Sequence, residues 1–216
     1  MKIVALVTAD SHGAGETNAL SLVRGEPLLT HAVRGLLDSG YVDLVVVATP
    51  AGRVGMSKEA LRTLLESRLR VVAAESVKQA LEAIQPSRAG IFLVHDASRA
   101  FTPPRVVRSV VDAVRTGAQV AVPVLPMADT VKLVDTASVI IRTQNRELLR
   151  TAQTPLGFTS DALRSAVASG EQDLLASADV PVHTVEGHPN AMRLATPFDL
   201  TLAEAVLAAD RHEESL

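Results

Sequence analysis

Asp96 and Arg99 are the residues of this sequence whose types and surroundings best suit chemistry. They follow residues 91–94, a run of apolar side chains of the kind that a strand buried on both faces of a sheet requires. A carboxylate at the carboxyl end of such a strand lies where open α/β sheets bind their ligands. The local pattern leaves a second interpretation open, in which Asp96 only caps or turns the chain.

A second candidate is the loop at residues 8–18, which is polar, contains glycine and follows the apolar run 3–7. Backbone N–H groups of a loop directly after the first strand of a sheet commonly contact phosphate. The loop is not a Walker motif, because no Gly-Lys-Ser/Thr follows, and it contains no Lys or Arg. From its residues alone it is therefore interpreted as a plain flexible loop.

The elements that must position these residues follow from the hydrophobic pattern. Apolar runs predict strands at residues 3–7, 42–48, 70–74, 91–94 and 119–124. Helical periodicity and capping residues predict helices at residues 27–37, from Ser57 to about residue 67, from Ser76 to about residue 84, and after Pro103 and Pro104. Strands that alternate with helices over this length predict an α/β fold with a mainly parallel, doubly wound sheet.

The pattern changes at residues 129–143, where apolar and polar residues alternate around a polar turn at 135–138. This alternation predicts a β-hairpin rather than another strand–helix unit. A hairpin that projects from a sheet needs a partner for its apolar face, so we expect a protruding dimerisation arm at residues 129–146 and a homodimer. The alternative is a hairpin that folds back on its own sheet.

The remaining elements complete a single predicted domain, residues 1–216. Residues 153–158 are predicted to be a short segment before a helix capped by Ser160, and residues 180–185 and 191–195 to be late strands. Pro197 is predicted to start the final helix, and residues 211–216 to form a solvated tail.

The composition excludes several classes of protein. Hydrophobic residues make up 47% of the chain and aromatic residues only 2%, so the core must be built from Val, Leu, Ile and Ala. A net charge of −3 and a pI near 6.1 give no basic footprint for nucleic acid. The absence of cysteine excludes disulfides and thiolate chemistry. No apolar run approaches the roughly 20 residues of a membrane helix, and we expect a soluble cytoplasmic protein.

Several segments together resemble one family. These segments are residues 25–33, 39–48, 94–99, 122–126, 129–132, 153–158 and 196–206. In matching order, they resemble the 2-C-methyl-D-erythritol 4-phosphate cytidylyltransferase family of the non-mevalonate isoprenoid pathway. The resemblance implies a Rossmann-like nucleotidyltransferase that joins CMP from CTP to methylerythritol phosphate, a sugar-alcohol phosphate. It also implies release of pyrophosphate, use of Mg²⁺ and a homodimer formed through the hairpin arm.

The resemblance also implies roles for individual residues. The nucleotide-binding positions would be Thr8, Ala9, Asp10, Ser11, Ser76, Asp96 and Ala97, with Asp96 beside the ribose and the metal ion. The substrate-binding positions would be Arg99, Thr154 and, reaching the partner subunit's substrate from the arm, Thr130 and Arg146. The catalytic positions would be Asp96, Arg99 and Arg193, and Arg193 stands where the family has a lysine that contacts the reacting phosphates.

The sequence departs from the family pattern in the first loop. The loop is shorter, lacks the family's arginine and has Thr17 and Asn18 where the family has Pro-Lys. Losing one donor to a developing charge typically lowers a rate by about 10²–10³. Asp10, in place of an alanine, adds a negative charge beside an anionic ligand. These departures predict reduced activity or, alternatively, a catalytically impaired paralogue that binds a ligand or a partner without turnover.

Each assigned residue also has a structural interpretation. Asp96 and Arg99 could form an ion pair with each other at the sheet edge, and Ser76 could be only a helix N-cap. Thr130 could be only a strand residue, while Arg146 and Arg193 could be solvated charges.

Overall fold

The computed structural model describes residues 1–9, 17–64, 67–84, 89–169 and 173–213, with side chains described as far as residue 208. The strands and helices occur in the following order: β1 (Lys2–Thr8), β2 (Leu22–Val23), β3 (Glu26–Pro27), α1 (Leu28–Asp38), β4 (Leu44–Thr49), α2 (Val54–Ala60), β5 (Leu69–Ala73), α3 (Val77–Ala83), β6 (Ala89–Asp96), α4 (Pro104–Arg115), β7 (Val120–Pro126), β8 (Lys132–Val134), β9 (Ile140–Thr143), β10 (Arg150–Ala152), β11 (Leu156–Thr159), α5 (Ser160–Ala168), β12 (Val182–Glu186) and α6 (Pro197–Glu213).

The central sheet is mainly parallel, as predicted, and has the strand order β10-β7-β11-β6-β1-β4-β5, with β12 paired to β7. Strands β1, β4, β5 and β6 pair in parallel, whereas β10 and β11 pair with their neighbours in antiparallel. From β1 the chain builds outward through β4 and β5 and then returns to the other side of β1 as β6. The order therefore reverses between β1 and β6, and open α/β sheets bind ligands at the carboxyl edge of this kind of switch point.

Two hydrophobic layers cover the sheet because the side chains of each strand alternate between its faces. Ala5 and Val7 of β1 pack with the apolar residues of α1 and α4. Val4 and Leu6 pack on the other face with those of α3 and α5. The doubly wound arrangement is thus confirmed.

The sequence of helix α4 explains both where the helix begins and which face it buries. Pro104 occupies its first turn, where a proline costs no intrahelical hydrogen bond. Its valines recur at helical spacing, and all of them are buried: Val106, Val107, Val110, Val111 and Val114. This apolar stripe lies against β7 and β11 and fixes the helix that follows the Asp96 segment.

Two predicted helix caps differ from the structure. Ser57 does not start a helix but lies inside α2, where its buried hydroxyl donates to Thr49 Oγ1 at 3.4 Å. The chain leaves β4 at Pro50, which precedes a 3-10 turn, so the helical segment begins earlier than the capping pattern indicates. The N-cap of α5 is Thr159 rather than Ser160, because the Thr159 hydroxyl accepts the Ala162 N–H.

Three later predictions also need correction. Residues 153–158 are not only a connecting segment, since β11 pairs with both β6 and β7. Residues 191–195 do not form a strand: a 3-10 turn, Pro189–Ala191, is followed by irregular backbone. The backbone there bonds to other groups: the Ala191 carbonyl accepts hydrogen bonds from side chains, and the Leu194 N–H donates to the Ser98 carbonyl. Helix α6 continues to Glu213 and so includes the start of the predicted tail.

Strands β8 and β9 form an antiparallel hairpin, and within the described residues they pair only with each other. The Asp135 carboxylate accepts N–H groups of Ala137 and Val139 and so fixes the turn. Val139, Ile140 and Ile141 leave 58–60% of their surface exposed. The hairpin therefore carries an apolar surface that the described part of the chain does not cover, and its use in a dimer stays a prediction.

Among the described residues, no helix has both the length and the apolar character that crossing a bilayer demands.

Candidate functional site

The predicted nucleotide-binding residues of β1 and β6 meet at the carboxyl edge of the sheet. Thr8 lies in register with Asp96. The Ala97 N–H donates to the Thr8 carbonyl at 3.1 Å, and the Thr8 hydroxyl donates to the His95 carbonyl at 3.3 Å. Ala9 continues from β1 and donates its N–H to Ala48 at 3.0 Å. Asp10 and Ser11 lie outside the described residues.

Asp96 is held by two neighbours and faces a third. Its Oδ1 accepts the Ser98 N–H at 2.8 Å, and its backbone N–H donates to Thr154 Oγ1 at 3.1 Å. Its Oδ2 lies 3.8 Å from Arg193 Nε. The Asp96 side chain is 16% exposed and that of Arg193 is 41% exposed. Both are open to solvent at the carboxyl edge of the switch point between β1 and β6, which we call the crevice. The structure therefore brings Asp96, Thr154 and Arg193 together, and Arg193 rather than Arg99 forms the ion pair with Asp96.

His95 is a buried residue that bonds to the Thr154 side chain of this cluster. It is 1% exposed, and its Nδ1 shares a hydrogen bond of 2.9 Å with Thr154 Oγ1. Burial lowers the pKa of His95 to about 4, although the Asp96 charge acts in the opposite direction. His95 is therefore a neutral hydrogen-bonding group at physiological pH.

Arg99 lies near the cluster, but its guanidinium joins backbone segments. Nη1 donates to the Ala191 carbonyl at 2.7 Å and Nη2 donates to the Ala152 carbonyl at 3.1 Å. Burial lowers the pKa of Arg99, and the Asp96 charge raises it; the group stays protonated. Arg99 thus links the segment after β6 to β10 and to the turn before Arg193.

The other predicted site residues lie apart from this cluster. Ser76 is the N-cap of α3, where its hydroxyl accepts the Gln79 N–H at 3.2 Å. It follows β5, which is two strand spacings, about 10 Å, from β1. Thr130 and Arg146 are exposed, and Arg146 donates to the Ala128 carbonyl at 2.7 Å. No described contact joins either of these two residues to Asp96.

The far end of the first loop is attached to the segment that carries Arg193. The Thr17 hydroxyl donates to the Leu194 carbonyl at 2.6 Å, and the Leu194 N–H donates to the Ser98 carbonyl at 3.0 Å. Thr17, which stands at the proline of the family's Pro-Lys, is therefore bonded to the segment that carries Arg193.

The sequence assigned no role to His95, which bonds to Thr154, or to Gln153, which precedes Thr154 in the chain. Gln153 is 3% exposed and bonds to the turn before Arg193. A signal was present in each case, because each is a polar residue directly before a predicted site residue. The pattern could not show that their partners lie far along the chain.

A doubly wound sheet whose switch point gathers a carboxylate, a hydroxyl and a cation defines an α/β protein of the Rossmann-like, nucleotide-binding class. Comparison with known proteins is consistent with this class. A sequence profile of the 2-C-methyl-D-erythritol 4-phosphate cytidylyltransferase family matches residues 3–209. The chain belongs to this family.

Individual relatives are similar over their whole length. A protein of this name from Saccharopolyspora erythraea is 49% identical over 226 aligned positions, which cover 96% of this chain and 100% of the relative. One from Nocardia farcinica is 43% identical, with 95% and 94% covered. The solved structure of a cytidylyltransferase of this name from Thermus thermophilus has a TM-score of 0.71 at 29% identity, covering 95% of this chain and 98% of that one. The synthase structure from Anaerococcus prevotii, at 19% identity and with 96% of each chain covered, has a TM-score of 0.81 and shows the shared fold.

Proposed function

We propose that this chain transfers the cytidylyl group of CTP to 2-C-methyl-D-erythritol 4-phosphate and releases pyrophosphate, as a step of isoprenoid biosynthesis. The observation that carries the proposal is the pairing of Asp96 with Arg193 beside Thr154 at the switch point of the sheet. Family membership over residues 3–209 supports it independently.

The proposed reaction is an in-line displacement at phosphorus. An oxygen of the substrate phosphate forms a bond to the α-phosphorus of CTP while the bond to the bridging oxygen breaks, and that oxygen leaves with pyrophosphate. Such a reaction needs positioning and charge stabilisation rather than covalent catalysis. The Arg193 side chain is 41% exposed at the crevice, where its guanidinium would stabilise charge on the reacting phosphates.

Asp96 is the residue that would hold Mg²⁺. The described residues contain no group of three or more His, Asp or Glu side chains that could cage a metal ion. A cage is not required, because Mg²⁺ is usually held by one or two carboxylates together with substrate phosphates. Asp96 Oδ2 at the crevice fits that donor set. Bound there, the ion would neutralise charge on the triphosphate.

The arm and the domain organisation belong to the same proposal. We infer one domain with an arm at residues 129–146 whose exposed apolar residues pack against a second copy of the chain. Thr130 and Arg146 are exposed on that arm and would then reach the substrate phosphate in the partner's crevice.

Reduced activity and the impaired-paralogue alternative were predicted from the first loop. Residues 10–16 of that loop lie outside the described residues, and the structure therefore adds no support to either prediction.

A pyrophosphate-release assay with CTP, Mg²⁺ and methylerythritol phosphate tests the proposal. We expect turnover that needs all three components and that falls by about 10²–10³ in Arg193→Gln. Thr30→Val is the matched control, because Thr30 is buried and donates to the Ala60 carbonyl, away from the crevice. A wild-type protein that is folded and releases no pyrophosphate would refute the proposal.

A further inference from the structure

Gln153 binds the turn that precedes Arg193 with both atoms of its amide group. Its Nε2 donates to the His188 carbonyl at 2.9 Å and to the Ala191 carbonyl at 3.3 Å. Its Oε1 accepts the His188 N–H at 2.9 Å. The amide of this one side chain therefore takes part in three hydrogen bonds with the backbone of the turn.

The position of Gln153 is itself fixed. Its backbone N–H donates to the Pro123 carbonyl of β7 at 2.8 Å, and its side chain is almost completely buried. The next residue is Thr154, which bonds to the Asp96 N–H. Gln153 thus joins the part of the site around Asp96 to the turn that carries Arg193.

Gly187 lies directly before the turn, and its backbone packs closely against the Gln153 side chain. A Cβ at Gly187 would overlap Gln153 Oε1 and would lie 2.9 Å from the Val124 carbonyl oxygen. The Gly187 N–H donates to that same carbonyl at 2.9 Å. No side chain fits between the backbone at position 187 and Gln153, so this close packing requires glycine at that position.

Only Met192 separates the turn Pro189–Ala191 from Arg193. On the other side of Arg193, the Leu194 N–H donates to the Ser98 carbonyl. Because the backbone on both sides is held, the direction in which the Arg193 side chain leaves the chain follows from the position of Ala191.

We propose that Gln153 is a positioning residue for Arg193: it holds the turn through its amide hydrogen bonds and so keeps the guanidinium beside Asp96. This inference rests on the proposed function in one respect, namely that Arg193 contacts the reacting phosphates. If Gln153 only stabilised the fold, its replacement would lower the stability of the whole protein and would have no specific effect on the position of Arg193.

A double-mutant cycle separates these two roles. Gln153→Met keeps the volume of the side chain and removes all of its amide hydrogen bonds. We expect it to lower kcat by about 10², the cost of misplacing a catalytic group by about 1 Å. In the Arg193→Gln background we expect Gln153→Met to lower kcat by less than about twofold, because residues that act through one group are not additive. A full additional decrease in the double variant would overturn the proposal.

Gln153→Glu is the second variant and keeps only the acceptor for the His188 N–H. We expect it to lower kcat in the same direction and to show the same loss of effect in the Arg193→Gln background. Thr30→Val controls for loss of a buried hydrogen bond elsewhere, and we expect its effect on kcat to be small and independent of Arg193.

Amide hydrogen exchange tests the inference without any turnover. We expect exchange of the Ala191, Met192 and Leu194 amides to be at least about tenfold faster in Gln153→Met than in Thr30→Val. Each variant is measured at the same number of degrees below its own Tm, so that a difference in global stability does not enter the comparison. Unchanged exchange at these amides would overturn the positioning role. If the wild-type protein releases no pyrophosphate, the proposed function fails, but the exchange measurement still decides whether Gln153 holds the turn.

Discussion

Thr154 holds the backbone of Asp96: its hydroxyl oxygen accepts the Asp96 N–H at 3.1 Å and also bonds to His95 Nδ1 at 2.9 Å. The carboxylate at the end of β6 is therefore fixed by a side chain from a segment 58 positions further along the chain. The contact also gives Thr154 a role that does not depend on touching a substrate.

Replacing Thr154 separates its structural and chemical contributions. Thr154→Val leaves the Asp96 N–H without its acceptor, and we expect the free energy of unfolding to fall by about 1–3 kcal/mol, the cost of an unsatisfied buried group. We expect kcat to fall by about 10² as Asp96 loses its position. Thr154→Ser keeps the hydroxyl and should recover most of both quantities. Urea unfolding and pyrophosphate release measure them, and equal behaviour of the two variants would contradict the prediction.

His95 makes stability depend on pH in a defined window. Burial lowers the pKa of His95 to about 4 in the folded protein, below the ordinary value of 6.5. Between these values the unfolded chain binds a proton that the folded chain does not, so the free energy of unfolding falls as pH decreases from 6.5 towards 4. The loss should approach about 3 kcal/mol.

We expect His95→Asn to lose this component of the pH dependence. Other groups titrate in the same range, so the measured quantity is the difference between the wild-type and variant urea-unfolding curves at each pH. That difference should change steadily from pH 6.5 to pH 4 and be constant above pH 7. A constant difference over the whole range would show that His95 does not carry this component.

Local patterns predicted the elements whose partners are near in sequence. The apolar run of β6, the helix α4 after Pro103 and the Ser76 cap of α3 are each confirmed, because burial and capping act within a few residues. The predicted strand at residues 191–195 was wrong, since the Ala191 carbonyl bonds to the side chains of Arg99 and Gln153 and the Leu194 N–H bonds to the Ser98 carbonyl. Contacts of this kind join residues 38 and 92 positions apart, and no periodicity in the sequence reports them.

The residues of the candidate site also differ in how far local sequence could predict them. Asp96 follows from a general rule about the carboxyl ends of strands, and the register of Thr8 with Asp96 agrees with it. Arg193 came only from family resemblance, because an arginine in a polar segment has no signal of its own. Its distance of 3.8 Å from Asp96 depends on the tertiary structure.

Replacing Arg99 by lysine tests whether this position needs the planar geometry of a guanidinium or only a positive charge. Its two terminal nitrogens reach the carbonyls of Ala191 and Ala152 at once, through a planar fork of donors that a lysine ammonium does not have. We expect Arg99→Lys to lower kcat at least about tenfold with a small change in the KM for methylerythritol phosphate. A direct contact between Arg99 and that substrate would instead raise the KM. Steady-state kinetics with varied sugar phosphate separate the two results.

Gly187→Ala disturbs the same turn from the opposite side. Its added methyl group would meet Gln153 Oε1 and the Val124 carbonyl, so either the glutamine or the backbone must move. We expect a loss of stability of about 1–3 kcal/mol, as for other overpacked sites, and a fall in kcat. Gly52→Ala is the matched control, because a Cβ at Gly52 meets nothing within 4 Å. Wild-type stability and activity in Gly187→Ala would show that the packing around the turn is loose.

The arm gives a prediction about assembly. Ile140 is 60% exposed on β9, and a charge at this position would make burial against a second copy unfavourable. We expect the wild-type chain to sediment as a dimer and Ile140→Lys to shift it towards a monomer, with the largest effect at low protein concentration. Met56→Lys is the control, because Met56 is 51% exposed on α2, outside the arm. If Thr130 and Arg146 act in the partner's crevice, the monomer should also lose turnover, and activity should return as the concentration is raised. A wild-type monomer with full activity would exclude both the dimer and the shared site.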